Sequence, residues 1–323
     1  MKYGTVPGVR RQVSRLVQGT ATVFDPSNIK SCYEMLDLSL EYGINTFDLA
    51  HCYGKERSVV FGQWLKDRQV ADKVVILAKG AHPYGSPRVT PKDITDDLES
   101  SLSWMQVDYV DLFVLHRDDP SVPVGPIVEI LNKHKTDGKI GAFGGSNWTY
   151  QRIAEANEYA LSSGLTPFAV TSPNFSLARQ IEAPWSDCLS ISGPGGEEAR
   201  SWYSKNHISI FSWSSLAGGF FSGRFSKTDL DVLEKDRSSL ELCLRCSASE
   251  DNFERLDRAK KLGDQMGYSV PQIALAYVML QPLDIYALIS CDGRSQFESN
   301  VAALDLLLTE QEIAYLDLRV DSL

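Results

Sequence analysis

Residues able to move a proton or hold a charge recur in this chain at one kind of place, the end of an apolar run. Asp48 and Tyr53 follow residues 44–47, Lys79 closes 74–80, His116 ends 109–116, and Ser146 with Asn147 ends 140–147. A free tyrosine titrates near pH ~10, too high for an efficient donor at neutrality, and a nearby ammonium favours the phenolate and lowers that value. Asp48 can hold Lys79 charged and oriented, and His116 can direct a carbonyl oxygen towards the phenol or donate to it. Such a set delivers a proton to an oxygen gaining negative charge, which is general acid catalysis with oxyanion stabilisation. It lacks an electron source: no side chain supplies a hydride, and a nicotinamide does. Each residue alone has an ordinary explanation, Asp48 as a helix cap, Lys79 as a solvated rim charge, His116 as a structural histidine. Their shared placement is what calls for a particular architecture.

That architecture must gather strand ends from distant parts of the chain. Apolar runs alternate with amphipathic stretches. Strands are predicted at 13–19, 44–47, 74–80, 109–116, 140–147, 168–172, 208–212 and 285–289. Helices are predicted at 28–42, 58–68, 90–104, 124–135, 150–162, 197–206, 251–266, 271–280 and 295–304. Ser27 or Asn28 can cap the first helix, Gly43 can end it, and Pro91 suits a first helical position. Residues 4–12 read as a turn-rich cap, a hairpin closing the bottom, and 174–196 and 214–250 as long irregular loops. A last helix at 309–318 opens with a capping box, Thr309 to Glu312. Eight strands so spaced predict one α/β domain over residues 1–323, a (β/α)8 TIM barrel with an N-terminal cap and an extra C-terminal helix. Active sites of such barrels lie at the C-terminal strand ends. A doubly wound sheet would carry a glycine-rich phosphate turn after its first strand, and no GxGxxG occurs there.

Composition narrows the partners. Lys and Arg total 32 against 42 Asp and Glu, a net charge of −10, with no basic run to follow a nucleic acid backbone. No apolar run is long enough to span a bilayer, and the first residues lack the apolar middle of a signal peptide. The 6 cysteines (Cys32, Cys52, Cys188, Cys243, Cys246, Cys291) are scattered along 323 residues, which is no disulfide framework and points to the cytoplasm. Cys243 and Cys246 form a CxxC without a second pair or a nearby histidine, so no metal site is expected. A metal-dependent barrel hydrolase needs several ligands at the mouth. Of His51, His82, His116, His134 and His207, only His116 is so placed. His116-Arg117-Asp118 echoes a kinase catalytic loop, but no glycine-rich nucleotide loop accompanies it.

Several stretches together resemble the aldo-keto reductase family over essentially the whole chain. They are 43–54 (GINTFDLAHCYG), Ala78-Lys79-Gly80, Leu115-His116-Arg117-Asp118, Gly144-Gly145-Ser146-Asn147-Trp148 and Trp213-Ser214-Ser215-Leu216-Ala217-Gly218-Gly219. The resemblance implies a barrel without a Rossmann domain that binds NADP(H) across its mouth and reduces an aldehyde or ketone. Matching positions make Asp48, Tyr53, Lys79 and His116 the catalytic tetrad. Ser146 and Asn147 match residues holding the carboxamide, with Ser172 where the family commonly has glutamine. Trp213 matches the aromatic stacked on the nicotinamide, and Ser214, Leu216, Gly218 and Arg224 match the pyrophosphate loop. Thr20, Arg294, Gln296 and Asn300 complete the expected cofactor contacts, the last two near the adenosine. Asp292 is a departure: an acid there repels a 2′-phosphate while Arg294 attracts it, so NAD(H) stands as the alternative cofactor. Tyr84, Trp148 and Trp185 are the expected substrate walls. Some relatives of this kind are cofactor sensors or channel-associated subunits, the reading of a different class.

Overall fold

Parallel strands covered on both faces read as continuous apolar runs, and eight such runs here close on themselves. The computed structural model describes residues 1–229 and 240–323. Two short strands, β1 (Tyr3–Gly4) and β2 (Val13–Ser14), pair antiparallel as a hairpin. The barrel strands follow as β3 (Leu16–Gly19), β4 (Thr46–Ala50), β5 (Val75–Gly80), β6 (Val110–Leu115), β7 (Ile140–Ser146), β8 (Val170–Ser172), β9 (Ser209–Ser212) and β10 (Ile285–Ile289). Their order round the closed barrel is β10-β3-β4-β5-β6-β7-β8-β9, every neighbour parallel. Helices α1 (Ile29–Glu41), α2 (Lys55–Arg68), α3 (Pro91–Met105), α4 (Val124–Thr136), α5 (Tyr150–Ser162) and α6 (Glu197–Lys205) alternate with them. The helices Leu242–Ser247, Glu250–Met266, Val270–Met279, Arg294–Ala303 and Glu310–Leu316 come after. Among the described residues no helix is long and apolar enough to cross a membrane.

The period of two along a strand sorts side chains into an inner and an outer layer. Val17, Val75, Leu77, Leu112, Val114, Val170, Phe211 and Leu288 pack together inside the barrel. Their neighbours Leu16, Ile76, Phe113, Phe143, Ile210 and Ala287 belong to the larger cluster shared with the helices. Helix starts follow their caps: the Asn28 side chain accepts from Ser31 N, Thr90 precedes Pro91, and Thr309 with Glu312 forms the expected capping box.

Several boundaries differ from expectation. The cap hairpin flanks the 4–12 stretch, and the predicted first strand is divided at Arg15, whose guanidinium leaves the barrel wall to pair with Asp284 at 2.5 Å. The second strand runs on to Ala50, because β5 continues to pair with it up to Ala50 against Lys79, so Asp48 sits inside the strand. One 3-10 turn (His51–Tyr53) follows, and α2 begins earlier than predicted. The loop expected over 214–250 holds the 3-10 turn Ala217–Ser222 and the helix Leu242–Ser247, and its centre, 230–239, lies outside the described residues.

Candidate active site

Strand parity decides which side chains meet. Lys79 follows Val75 and Leu77 on the inward face of β5, and Asp48 faces in from β4, in register with Leu77. Lys79 Nζ donates to Asp48 Oδ1, and both side chains are 3% exposed. His116 stands two residues beyond inward Val114, one step past β6. Tyr53 arrives differently, on the 3-10 turn after β4, which Arg57 Nη1 holds by donating to Tyr53 O at 2.7 Å and Gly54 ends with φ 100°. The phenol ring meets the His116 ring edge-on, centroids 6.2 Å apart.

Burial pushes the Tyr53 phenol well above its ordinary value, with Asp48 and Cys52 adding to the rise and Arg117 and Arg57 opposing it. This corrects the expectation of a phenol lowered by Lys79. The ammonium is bound to Asp48, whose carboxylate adds to the rise at the phenol. Burial, then Lys79, Arg117 and His82, holds the His116 imidazole well below its ordinary value. Asp48 is raised by burial against the pull of Lys79. Near neutrality the site therefore presents a protonated phenol and an uncharged imidazole. Cys52 Sγ lies 3.5 Å from His116 Nδ1, and burial holds that thiol protonated, pushed up to about 11. A thiol donating to Nδ1 leaves the ring proton on Nε2.

A cavity of about 430 Å³ brings together Asp48, Tyr53, Lys79, His116, Ser146, Asn147, Trp213, Ser214, Leu216, Gly218 and Trp185. All are sequence-predicted site residues. Gly144 and Gly145 let β7 approach its neighbours: a Cβ on Gly144 would stand 1.7 Å from Val170 O, and one on Gly145 would meet the Trp148 ring. Asn147, at φ 60°, donates from Nδ2 to His116 O at 3.3 Å and accepts at Oδ1 from Trp213 Nε1 at 3.3 Å.

Eight other predicted residues do not line this cavity. Thr20 falls on the outward parity after Gly19 and donates to Asp48 O at 2.8 Å. Ser172 is too short to reach the mouth, and its hydroxyl donates to Phe211 O at 2.7 Å. Trp148 is fully buried behind β7 against Phe168. Tyr84 lies exposed, its hydroxyl 3.1 Å from His51 Nδ1. Arg224 is exposed and pairs with Glu241 at 2.6 Å. Arg294 is exposed and held by Glu41 at 2.7 Å and Tyr42 at 3.0 Å, so its charge is already answered. Gln296 accepts from Asp292 N, and buried Asn300 donates to Cys291 Sγ at 3.1 Å. Sequence reasoning passed over Cys52, Arg117 and Cys188, which the strand spacing does not mark out.

The lining suits a nicotinamide dinucleotide in kind. Trp213 offers an aromatic face, Ser146 and Asn147 offer polar groups beside Tyr53 and His116, and the 214–219 strip ends in two glycines, Gly218 and Gly219. Gly219, at φ 98°, has open space where a Cβ would be. A family model described as "Aldo/keto reductase family" matches residues 15–319. A probable voltage-gated potassium channel subunit beta of Oryza sativa subsp. japonica is 26% identical, over 100% of this chain and 97% of that protein. A probable aryl-alcohol dehydrogenase of Saccharomyces cerevisiae is 25% identical, over 90% of this chain and 88% of that protein. The solved glycerol dehydrogenase of Gluconobacter oxydans superposes with a TM-score of 0.77 at 21% identity, covering 98% and 94% of the two chains.

Proposed function

The chain belongs to the aldo/keto reductase family, oxidoreductases of carbonyl and alcohol groups, and from that premise we propose that it reduces an aldehyde or ketone with NADP(H). The observation that carries this reading is the buried Lys79–Asp48 pair opening on the same cavity as Tyr53 and His116. The dinucleotide, when bound, supplies hydride from nicotinamide C4 to the carbonyl carbon. Trp213, Ser146, Asn147 and the backbone of 214–219 are the residues that would hold it. The protein's own part is the oxygen. Neutral His116 donates from Nε2 and orients the carbonyl, and Tyr53 gives up its proton as charge builds on that oxygen. Lys79 stabilises the phenolate left behind, and Asp48 keeps Lys79 in place. The pairing of Arg294 with Glu41 supports NAD(H) as a second acceptable cofactor, since a 2′-phosphate must compete with that carboxylate. Free thiols at all six cysteines support a reducing compartment, the cytoplasm.

The test is oxidation of NADPH, or NADH, with 4-nitrobenzaldehyde. Tyr53→Phe is expected to lower kcat by about 10³-fold, within the range a positioned proton donor supplies, with dinucleotide affinity nearly unchanged. A Phe variant as active as wild type removes Tyr53 from the mechanism. A second reading, a cofactor-binding sensor on the same barrel, draws support from the rice relative's description as a channel subunit. Tight dinucleotide binding without turnover of any carbonyl favours it.

A further inference from the structure

Burying a charge is costly unless an opposite charge or a ligand answers it. Among the described residues five lysines and arginines are buried: Lys79, Arg117, Arg152, Arg255 and Arg258. Lys79 pairs with Asp48, Arg152 with Asp118 and Glu155, and Arg258 with Glu254. Arg255 feels Asp317 and Asp251 and lies on the helix Glu250–Met266. Arg117 is 5% exposed and makes no ion pair among the described residues. Its partners are neutral: Nε donates to Ser186 O at 3.2 Å, Nη1 to His116 O at 2.9 Å and Nη2 to Cys188 Sγ at 3.1 Å. The next residue, Asp118, is taken by Arg152 at 3.1 Å. A guanidinium has about five N–H donors, so two remain unused.

Arg117 lines the same cavity as the tetrad. The other charges on that lining, Asp48 and Lys79, cancel, and His116 is uncharged, so the cavity carries one net positive charge. Its field reaches the reacting groups: Arg117 opposes burial at Tyr53 and Cys188 and adds to burial at His116. Position separates it from the 214–219 strip, though not from Ser146 and Asn147, which stand at the end of the neighbouring strand β7. That strip follows β9, next to β10, whereas β6 stands opposite β10 in the ring. Arg117, tied to Cys188, therefore lies towards the Ser146–Asn147 side of the cavity.

We propose that Arg117 anchors a carboxylate of the substrate, so that the preferred substrates are carbonyl compounds bearing an acid group on an apolar body packed against Trp185. The inference rests on the reductase reading. Its rival is a clamp, in which Arg117 only ties Ser186 and Cys188 to the end of β6.

The test compares 4-carboxybenzaldehyde with its methyl ester, which keeps the shape and removes the charge. Wild type is expected to favour the acid in kcat/KM by about ten-fold or more, the scale of one charge-assisted hydrogen bond. Arg117→Gln should bring the acid-to-ester ratio to about one, and Arg117→Lys should keep it above one. A wild-type ratio at or below one overturns the proposal, as does a Gln variant that lowers both substrates by the same factor. Calorimetric titration of 4-(hydroxymethyl)benzoate and its methyl ester, with NADP⁺ present, separates the two readings. Selective binding of the acid, lost in Arg117→Gln, supports the anchor even if no aldehyde is reduced. Equal reduction of both aldehydes supports the reductase and removes the anchor.

Discussion

At the residue scale, the protonation states at the mouth follow from burial more than from any charged partner. Tyr53 rises and His116 falls, and for both, burial is the largest cause. The sign fixes a pH profile. A phenol raised above its ordinary ~10 keeps its proton through the neutral range and loses it only above that value. An imidazole lowered below its ordinary ~6.5 stays neutral down to well below it. The kcat/KM for reduction of a neutral aldehyde should therefore be flat from roughly pH 6.5 to roughly pH 10. An inflection centred near 7 in the pH-rate profile would mean that one of the two titrates in the working range, contrary to this site. Residue types at strand ends were legible because they recur on a repeating architecture. Cys52 and Arg117 were not, since each precedes or follows a tetrad member and only the folded cavity shows where its side chain goes. The lone pair of Arg294 and Glu41, far apart in sequence, was likewise invisible until α1 and the helix Arg294–Ala303 came together.

At the element scale, the barrel's parity explains which of the expected side chains share the cavity and which do not. A strand of alternating layers carries Lys79 inward with Leu77 and Thr20 outward after Gly19. Trp148 was misread as a wall because Asn147 at φ 60° breaks that alternation, sending the indole behind β7. The end of β4 was misplaced for a related reason: Leu49 and Ala50 continue the pairing with β5 beyond the most apolar stretch. The glycines of β7 are the strongest local requirement. In Gly144→Ala the new Cβ would stand 1.7 Å from Val170 O, on the pairing partner of that residue in β8. Overpacking against backbone should cost at least ~2 kcal/mol, read as an earlier denaturation midpoint at unchanged slope. Because Ser146 and Asn147 follow on the same strand end, dinucleotide affinity should fall as well. Gly195→Ala is the control, since a Cβ there meets nothing within 4 Å. If the Gly144 variant unfolds with the control, the close approach of β7 to β8 is not what holds this side of the mouth.

At the scale of the whole molecule, the charge on the surface and the charge in the cavity have opposite signs. The chain carries −10 overall, while the mouth carries the single unanswered positive charge of Arg117. For an anionic dinucleotide approaching from solvent, distance decides which field is felt. In dilute salt of ~0.01 M the Debye length is ~30 Å, about the size of a domain, so the full negative charge repels the approaching ligand. At ~0.1 M it shrinks to ~10 Å and only the cavity's own groups act. Ten charges against one make repulsion the larger long-range effect. The association rate of the dinucleotide, followed in stopped flow by quenching of Trp213, should rise by about two-fold or more between those salt concentrations. A rate that falls with salt would mean that the mouth focuses anions strongly enough to overcome the surface, and would place more positive potential at the entrance than Arg117 alone provides. The charge total could be counted before the fold was known. Which charge faced the mouth could not, because it depends on Asp48 and Asp118 claiming Lys79 and Arg152 and leaving Arg117 for the ligand.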